Sequence, residues 1–380
     1  MLATNGNVAA WNLELGAGLA MAWSLRRFSL NKLVPLAISR GTTAAVERIE
    51  VTLSGKGRTG RGETGGFETG HRDYSTDAVM EELKQVLPQL EILDPVNRQG
   101  FEPLLASLSP PARCGIDLAL WDWNARLLEQ PVWRLWGLDG AIGQATSVTL
   151  GLGSVANVLE RLDRWWAMLP ATRVKLKLGS PDGLDHDRAL LMAVQQALRA
   201  RSQLTQTEIE LQVDANGGWS ESGALAMLPA LEKQNVVLLE QPLQPRLNPE
   251  VDTAGFAALH PHCSMSLVAD ESCWDLSDLL RLAPHVDGVN LKLLKSGGLS
   301  QAWLMALVAR HLGLSLMLGC YSDSQLLNGA AAHLLPLIRW PDLDSHLNLI
   351  DDPYCGLPLA GDRLMPPAAA GLGIALRGLI

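Results

Sequence analysis

The sequence predicts an α/β fold, a (β/α)8-type TIM barrel preceded by a smaller α+β block. Three observations carry this. The chain has 380 residues, more than one small domain needs and enough for a barrel plus a second element. From about residue 145, short apolar runs alternate with helical stretches about eight times, close to the roughly 31 residues per unit of a typical barrel. Before that point strands come first and helices follow, which is an α+β order.

Residues 1–22 read as an N-terminal extension. The segment carries no Lys or Arg ahead of its mild apolar stretch, which is too short to span a bilayer, so neither a signal peptide nor a membrane helix is expected. Trp23–Phe28 and Val46–Leu53 read as strands, with a loop between them that holds Asn31, Pro35 and Arg40-Gly41. The polar, Gly-rich stretch 65–73 reads as an exposed loop. Residues 76–93 and 110–130 read as helices, the second started by Pro110-Pro111 with apolar residues at Ile116, Leu120, Trp123 and Leu127. The block 23–140 is thus one domain, and 141–365 is the barrel.

The barrel runs are Ser147–Leu152, Arg173–Leu178, Ile209–Val213, Val236–Leu239, Met265–Ala269, Val286–Leu293, Leu314–Leu318 and Leu337–Trp340. Their alternation with helices implies a parallel sheet, and eight units favour closure. The Ala/Gly-rich residues 366–380 have no place in this count and are expected to return to the first domain.

Composition excludes several functions. Hydrophobic residues are 47% and charged residues 19%, which is an ordinary globular balance. The net charge is −9 with no long basic run, so nucleic acid and anionic membranes are not expected as partners. The five cysteines are scattered and lack a C-x-x-C pair, which fits a reducing, cytoplasmic setting.

Function in a closed parallel barrel lies at the C-terminal ends of strands. Charged residues there are Lys175 and Lys177 on the second run, Asp214 on the third, Glu240 on the fourth, Asp270 on the fifth, Lys292 on the sixth, and Asp342 and Asp344 on the eighth. The three middle carboxylates arrive one per βα unit and can converge. Converging carboxylates need a cation, and all-oxygen ligands select a hard one, Mg2+ or Mn2+. Lys177 and Lys292 flank such a ring from opposite sides. A lysine base must be neutral, and burial, a neighbouring ammonium and a divalent cation all lower its pKa. A single charged strand-end residue is ordinarily a solvated loop residue, and Glu271 and Asp275 are read that way. The histidines show no shared ligand spacing, and the Trp residues sit largely at helical spacing, as packing.

These residues resemble a known family. Val174-Lys175-Leu176-Lys177, Val213-Asp214-Ala215-Asn216 with Trp219, Glu240-Gln241-Pro242, Ala269-Asp270-Glu271-Ser272 and Asn290-Leu291-Lys292 before Gly297-Gly298 are similar to the enolase superfamily, nearest its muconate lactonizing enzyme subgroup. Pro111-Ala112-Arg113-Cys114 and Ala119-Leu120-Trp121-Asp122 resemble the family's capping-domain helix. The resemblance implies an α+β cap closing over a modified barrel. It implies Lys177 and Lys292 as acid/base lysines, Lys175 as the electrostatic partner of Lys177 and one of the substrate-binding residues, and Asp214, Glu240 and Asp270 as Mg2+ ligands. Such sites pair a Lys or His base with a divalent cation that stabilises the deprotonated substrate.

Within the subgroup, Asp342-Leu343-Asp344 and Lys292-Leu293-Leu294-Lys295 look like dipeptide epimerases, in which an Asp-x-Asp pair binds the substrate's free α-ammonium. Asp323, where relatives often carry Glu, is expected to contact the substrate, and Asn216 and Lys295 to stand behind the ligands. The resemblance implies epimerisation of a dipeptide such as Ala-Glu, turnover of peptidoglycan peptides, a small-molecule substrate and a homo-oligomer. The alternatives are o-succinylbenzoate synthase, N-acylamino acid racemase or muconate cycloisomerase. An anionic pair at 342 and 344 should repel substrates that lack an ammonium. A barrel that only binds, without catalysis, would have no reason to keep both lysines and all three carboxylates.

Overall fold

The computed structural model describes residues 21–378, so the expected N-terminal extension lies almost wholly outside the described residues. The described residues open with three antiparallel strands: β1 (Ala22–Ile38), β2 (Gly41–Gly55) and β3 (Arg58–Thr64). The two short strands expected from the sequence are parts of one long hairpin, and the loop between them is not a loop. Pairing runs from Ala22–Ser54 to Asn31–Ala45, slips, and resumes from Leu36–Thr43 to Ile38–Gly41. Pro35, which has no N–H to give a ladder, sits in the slip. The turn-type residues Asn31, Pro35 and Arg40-Gly41 suggested a loop, but the chain keeps its strand pairing past Asn31 and Pro35 and turns only at Arg40-Gly41.

Helices α1 (Thr76–Glu91) and α2 (Pro110–Leu127) back this sheet. Ser75 and Ser109 cap them by accepting the N–H groups of Ala78 and Ala112, and Pro110 supplies the fixed φ of a first helical residue. α2 lies directly on β3 at Gly60 and Gly62. An added Cβ there would stand 2.3 and 2.1 Å from the carbonyl oxygens of Ala119 and Gly115, so only glycine admits the helix this close.

Eight parallel strands follow: β4 (Val148–Leu150), β5 (Arg173–Lys177), β6 (Glu210–Asp214), β7 (Val236–Glu240), β8 (Ser266–Ala269), β9 (Gly288–Leu291), β10 (Ser315–Gly319) and β11 (Trp340–Asp342). They are hydrogen-bonded in chain order. The seam between β11 and β4 is bridged by the Ser147 N–H, which donates to Pro341 O at 3.0 Å. The Thr149 N–H donates across it to Asp344 Oδ2 at 2.7 Å. Helices separate successive strands, but β11 is followed by a short 3-10 turn, Ser345–Asn348. The chain then leaves the barrel. The Leu372 N–H donates to Asp122 Oδ1 at 2.7 Å and Arg126 to Ile374 O at 3.4 Å, which lays the end of the chain against α2.

The period of two along each strand sorts side chains into two environments. Val174 and Leu176 face the helices and join the main core. Lys175 and Lys177 face the barrel interior. Inside, the residues two before the strand ends make a lower layer, in which Leu238, Val268, Met317 and Trp340 form a separate apolar plug. The strand-end residues stand on this plug. No described helix is long and apolar enough to cross a membrane.

Candidate active site

The strand ends bring Lys177, Asp214, Glu240, Asp270 and Lys292 to one floor. Each sits two residues above the lower layer, which is why strand parity alone aims them the same way. All three carboxylates have no exposed surface, and the two lysines are 7% and 6% exposed. Lys177 Nζ donates to Asp214 Oδ2 at 2.5 Å, and Lys292 Nζ to Asp270 Oδ2 at 2.6 Å. Asn290 Nδ2 donates to Glu240 Oε1 at 2.8 Å. Lys295 is buried behind Asp270, donating to its Oδ1 at 2.8 Å and its carbonyl at 2.5 Å. Asn216 holds Asp214 through its N–H at 2.7 Å and its Nδ2 at 3.2 Å.

Lys175 lies one layer down and is 1% exposed. Its Nζ is 2.6 Å from Glu240 Oε2, 2.7 Å from Asp342 Oδ2 and 3.1 Å from Asp214 Oδ2. It neutralises carboxylates from below and does not face the cleft, contrary to its expected contact with substrate. Glu240 Oε2, close as it is to this ammonium, makes no hydrogen bond of good geometry.

The electrostatics follow from these pairs. Burial would raise the pKa of Asp214, but Lys177 and Lys175 outweigh it and hold the carboxyl well below its usual range. Lys292 and Lys295 do the same for Asp270. Glu240 is pushed up to about 8 by burial and then by the charge of Asp214. Burial would lower Lys175 and Lys292, but the facing carboxylates hold both well above the ordinary lysine value. This is opposite to the lowering expected for a free base, because each ammonium here is the counter-ion of a carboxylate.

Among the described residues, no three Asp, Glu, His or Cys side chains are gathered tightly enough to hold a metal ion as they stand. Each carboxylate turns toward a lysine instead. The donor set nonetheless suits a hard cation: three buried carboxylates at adjacent strand ends, with Asp214 and Glu240 paired in register and one Glu240 oxygen without a hydrogen bond.

Above this floor lies a cleft of about 550 Å3, into which Lys177 and Lys292 both open, with Leu36, Val46, Phe67 and Tyr321 in its walls. The Lys292 ammonium sits 4.7 Å from the centre of the Tyr321 ring. Gly319 leaves room for that lysine, since a Cβ there would come within 2.8 Å of Lys292 Cε. Tyr321 stacks on Phe67 of the cap at 4.5 Å. A side cavity of about 40 Å3 adjoins, lined by Lys32, Thr149, Arg161, Asp344 and Asn348 among others.

The Asp342–Asp344 pair is divided. Asp342 accepts from Lys175 and from Ser147 Oγ at 2.6 Å, so the chain itself supplies the positive partner that the sequence assigned to a substrate. Asp344 accepts the Thr149 N–H at the seam and faces the side cavity. Its pKa is raised to about 6 by burial and by Asp342. Lys32, across the same cavity, is lowered to about 8 by burial and by Arg48. Asp323 accepts from Arg48 of the cap at 2.9 Å and from the Tyr321 N–H at 2.9 Å, so it ties cap to barrel rather than facing the cleft.

Glu271, read as a solvated loop residue, is 1% exposed and paired with Arg40 at 2.8 Å. Its place directly after Asp270, in the loop at the barrel mouth beneath the cap, was the available signal. Arg40, Arg48, Ser147 and Tyr321 were also missed. The barrel partners of Arg40 and Arg48, and the Asp342 partner of Ser147, lie more than 170 residues away in the chain; Tyr321 meets Lys292 only 29 residues back but stacks on Phe67 of the cap, and no local pattern marks any of them.

Comparison with known proteins agrees with this fold. Residues 24–137 match the mandelate racemase / muconate lactonizing enzyme N-terminal domain, and residues 157–378 match the enolase C-terminal domain-like family. The chain is 33% identical over 364 residues to a hydrophobic dipeptide epimerase of Flavobacteria bacterium strain MS024-2A, covering 94% of this chain and 99% of that one. It is 32% identical over 312 residues to the L-Ala-D/L-Glu epimerase of Escherichia coli K12, covering 82% and 88%. Its fold superposes on a dipeptide epimerase of Enterococcus faecalis V583, solved with Mg and L-Leu-L-Tyr, with a TM-score of 0.83 at 26% identity over 93% of this chain and 99% of that one. The chain therefore belongs to the mandelate racemase / muconate lactonizing enzyme branch of the enolase superfamily.

Proposed function

We propose that this enzyme is a dipeptide epimerase that inverts the α-carbon of the C-terminal residue of a dipeptide. The observation that carries this is the placement of Lys177 and Lys292. They stand at the C-terminal ends of β5 and β9, four strands apart in an eight-stranded barrel, and both open into one cleft above three buried carboxylates. One lysine takes the α-proton from one face and the other returns a proton to the opposite face. Gly319 and the Tyr321 ring fix the position of Lys292 while it does so.

Asp214, Glu240 and Asp270 would hold Mg2+, or Mn2+. Relatives from Enterococcus faecalis and Methylococcus capsulatus were solved with Mg and a dipeptide, which supports the assignment. Bound there, the ion would draw charge from the substrate carboxylate and make the neighbouring proton easier to remove. The substrate's free ammonium belongs beside Asp344, whose narrow cavity of about 40 Å3 favours a small N-terminal residue.

An apolar residue at the inverted position is favoured. Leu36, Val46, Phe67 and Tyr321 line the cleft, and the two arginines in its wall are committed to carboxylates, Arg40 to Glu271 and Arg48 to Asp323. Hydrophobic dipeptide epimerases are among the most similar relatives. The five cysteines are free, which supports a cytoplasmic setting.

The test is a dipeptide library in deuterated water, read by mass spectrometry. Deuterium should enter the C-terminal residue of free dipeptides, with L-Ala-L-Leu or L-Ala-L-Phe ahead of L-Ala-L-Glu. Exchange into N-acylamino acids alone would move the enzyme to the N-acylamino acid racemases.

A further inference from the structure

The tip of the β1–β2 hairpin grips the barrel at one bracket. Arg40 Nη1 donates to the carbonyl oxygen of Asn216 at 2.9 Å, and Nη2 donates to Glu271 Oε1 at 2.8 Å. Ser39 Oγ donates to the same Asn216 carbonyl at 3.0 Å. Asn216 in turn orients Asp214, its N–H on Oδ1 at 2.7 Å and its Nδ2 on Oδ2 at 3.2 Å. That Nδ2 is shared with Glu271 Oε1 at 3.3 Å. One planar guanidinium therefore holds both Asn216, which orients the Asp214 carboxylate, and Glu271, which shares the Asn216 amide.

Two features show that this bracket needs the hairpin. Asn216 has φ +44°, a left-handed turn conformation that asparagine tolerates and that presents its carbonyl to the cap, and both side-chain donors to that carbonyl come from the hairpin tip. Glu271 is buried, its Oε2 has no hydrogen bond, and among the described residues Arg40 is its ion-pair partner. Without Arg40 a buried carboxylate would be left uncompensated beside the site.

We infer that Arg40 is a positioning residue for Asp214, which makes closure of the cap hairpin and cation binding at the barrel mouth one coupled event. The inference rests on the reading of Asp214 as a metal ligand. Charge alone makes the reverse prediction: a guanidinium near a divalent site repels the ion, so removing it should tighten binding. Positioning makes removal weaken binding. By linkage, if the closed hairpin helps Asp214 bind the ion, the ion must favour the closed hairpin to the same extent.

The experiment titrates the metal-stripped, full-length chain with Mg2+ by calorimetry. Arg40→Met should bind Mg2+ roughly 10–100-fold more weakly, as is usual when a residue behind a ligand is lost. Arg40→Lys, which keeps the charge but not the fork, should weaken it too. Ser39→Ala removes one donor and leaves the ion pair; it should shift affinity in the same direction by less, and it carries the test should Arg40→Met not fold. Hydrogen exchange should show Mg2+ protecting residues 29–43 in the wild type and not in Arg40→Lys. A wild-type chain that takes up no Mg2+ overturns the metal reading and this inference together. Normal wild-type binding, with equal or tighter binding by the Arg40 variants, overturns the inference alone.

Discussion

Lys175 and Asp342 are joined below the cleft, Nζ to Oδ2 at 2.7 Å, and the same ammonium lies 2.6 Å from Glu240. One fully buried lysine thus links the last barrel strand to the carboxylates of the third and fourth. Removing one partner of such a network strands the others. Lys175→Met should destabilise the fold by about 3–5 kcal/mol. Urea unfolding of the variant checks this, and a loss under about 1 kcal/mol would show that the carboxylates do not depend on Lys175.

Metal removal should stop the reaction. Excess chelator is expected to abolish α-proton exchange, with Mg2+ or Mn2+ restoring it. Glu240→Gln keeps the shape and removes the charge, and should weaken Mg2+ binding by at least roughly tenfold. Wild-type exchange rates in chelator, with no metal found by elemental analysis, would remove the metal from the mechanism.

The two lysines should fail differently. Lys177→Ala and Lys292→Ala should each lose exchange with one epimer of a substrate by roughly 10²–10⁴-fold, and with opposite epimers. Deuterium uptake by separately supplied L,L and L,D dipeptides reads this directly. If both variants lose the same epimer, the lysines do not serve opposite faces.

Asp344 should set the requirement for a free N-terminus. A charge-assisted hydrogen bond to the substrate ammonium is worth roughly 1.5–3 kcal/mol. N-acetylation should therefore lower kcat/KM at least about tenfold, and Asp344→Asn should narrow that gap. Equal kcat/KM for free and acetylated dipeptides in the wild type would place the ammonium elsewhere.

Glu63 should make the cap–barrel contact sensitive to pH. It shares Arg48 with Asp323, at 3.7 and 2.9 Å, and accepts the Ser324 N–H at 3.1 Å. Burial, and then the charge of Asp323, push its pKa up to about 8. An unfolded Glu titrates near ~4.3, so the stabilisation from its retained proton is full below that value and is lost as pH rises through 8. Wild-type chain should therefore lose stability between pH 5 and 9 that Glu63→Gln keeps, by at least about 1.4 kcal/mol, the equivalent of one pK unit. Parallel urea titrations at the two pH values test it; a stability difference between the proteins that does not move with pH would refute it.

The sequence by itself determined the barrel and the floor of its site. Strand alternation and the period of two are local rules, so the eight runs, the strand-end residues Lys177, Asp214, Glu240, Asp270 and Lys292, and their common direction follow from spacing alone. Tertiary structure decided the rest, because the rest depends on which distant groups share a buried volume. Burial with Asp342, Glu240 and Asp214 makes Lys175 a counter-ion. The hairpin that Asn31 and Pro35 split into two expected strands continues to Arg40, which turns Glu271 from an expected surface residue into a buried partner. A charged side chain removed from water must find its opposite charge wherever the fold brings it. No periodicity along the chain records where that is.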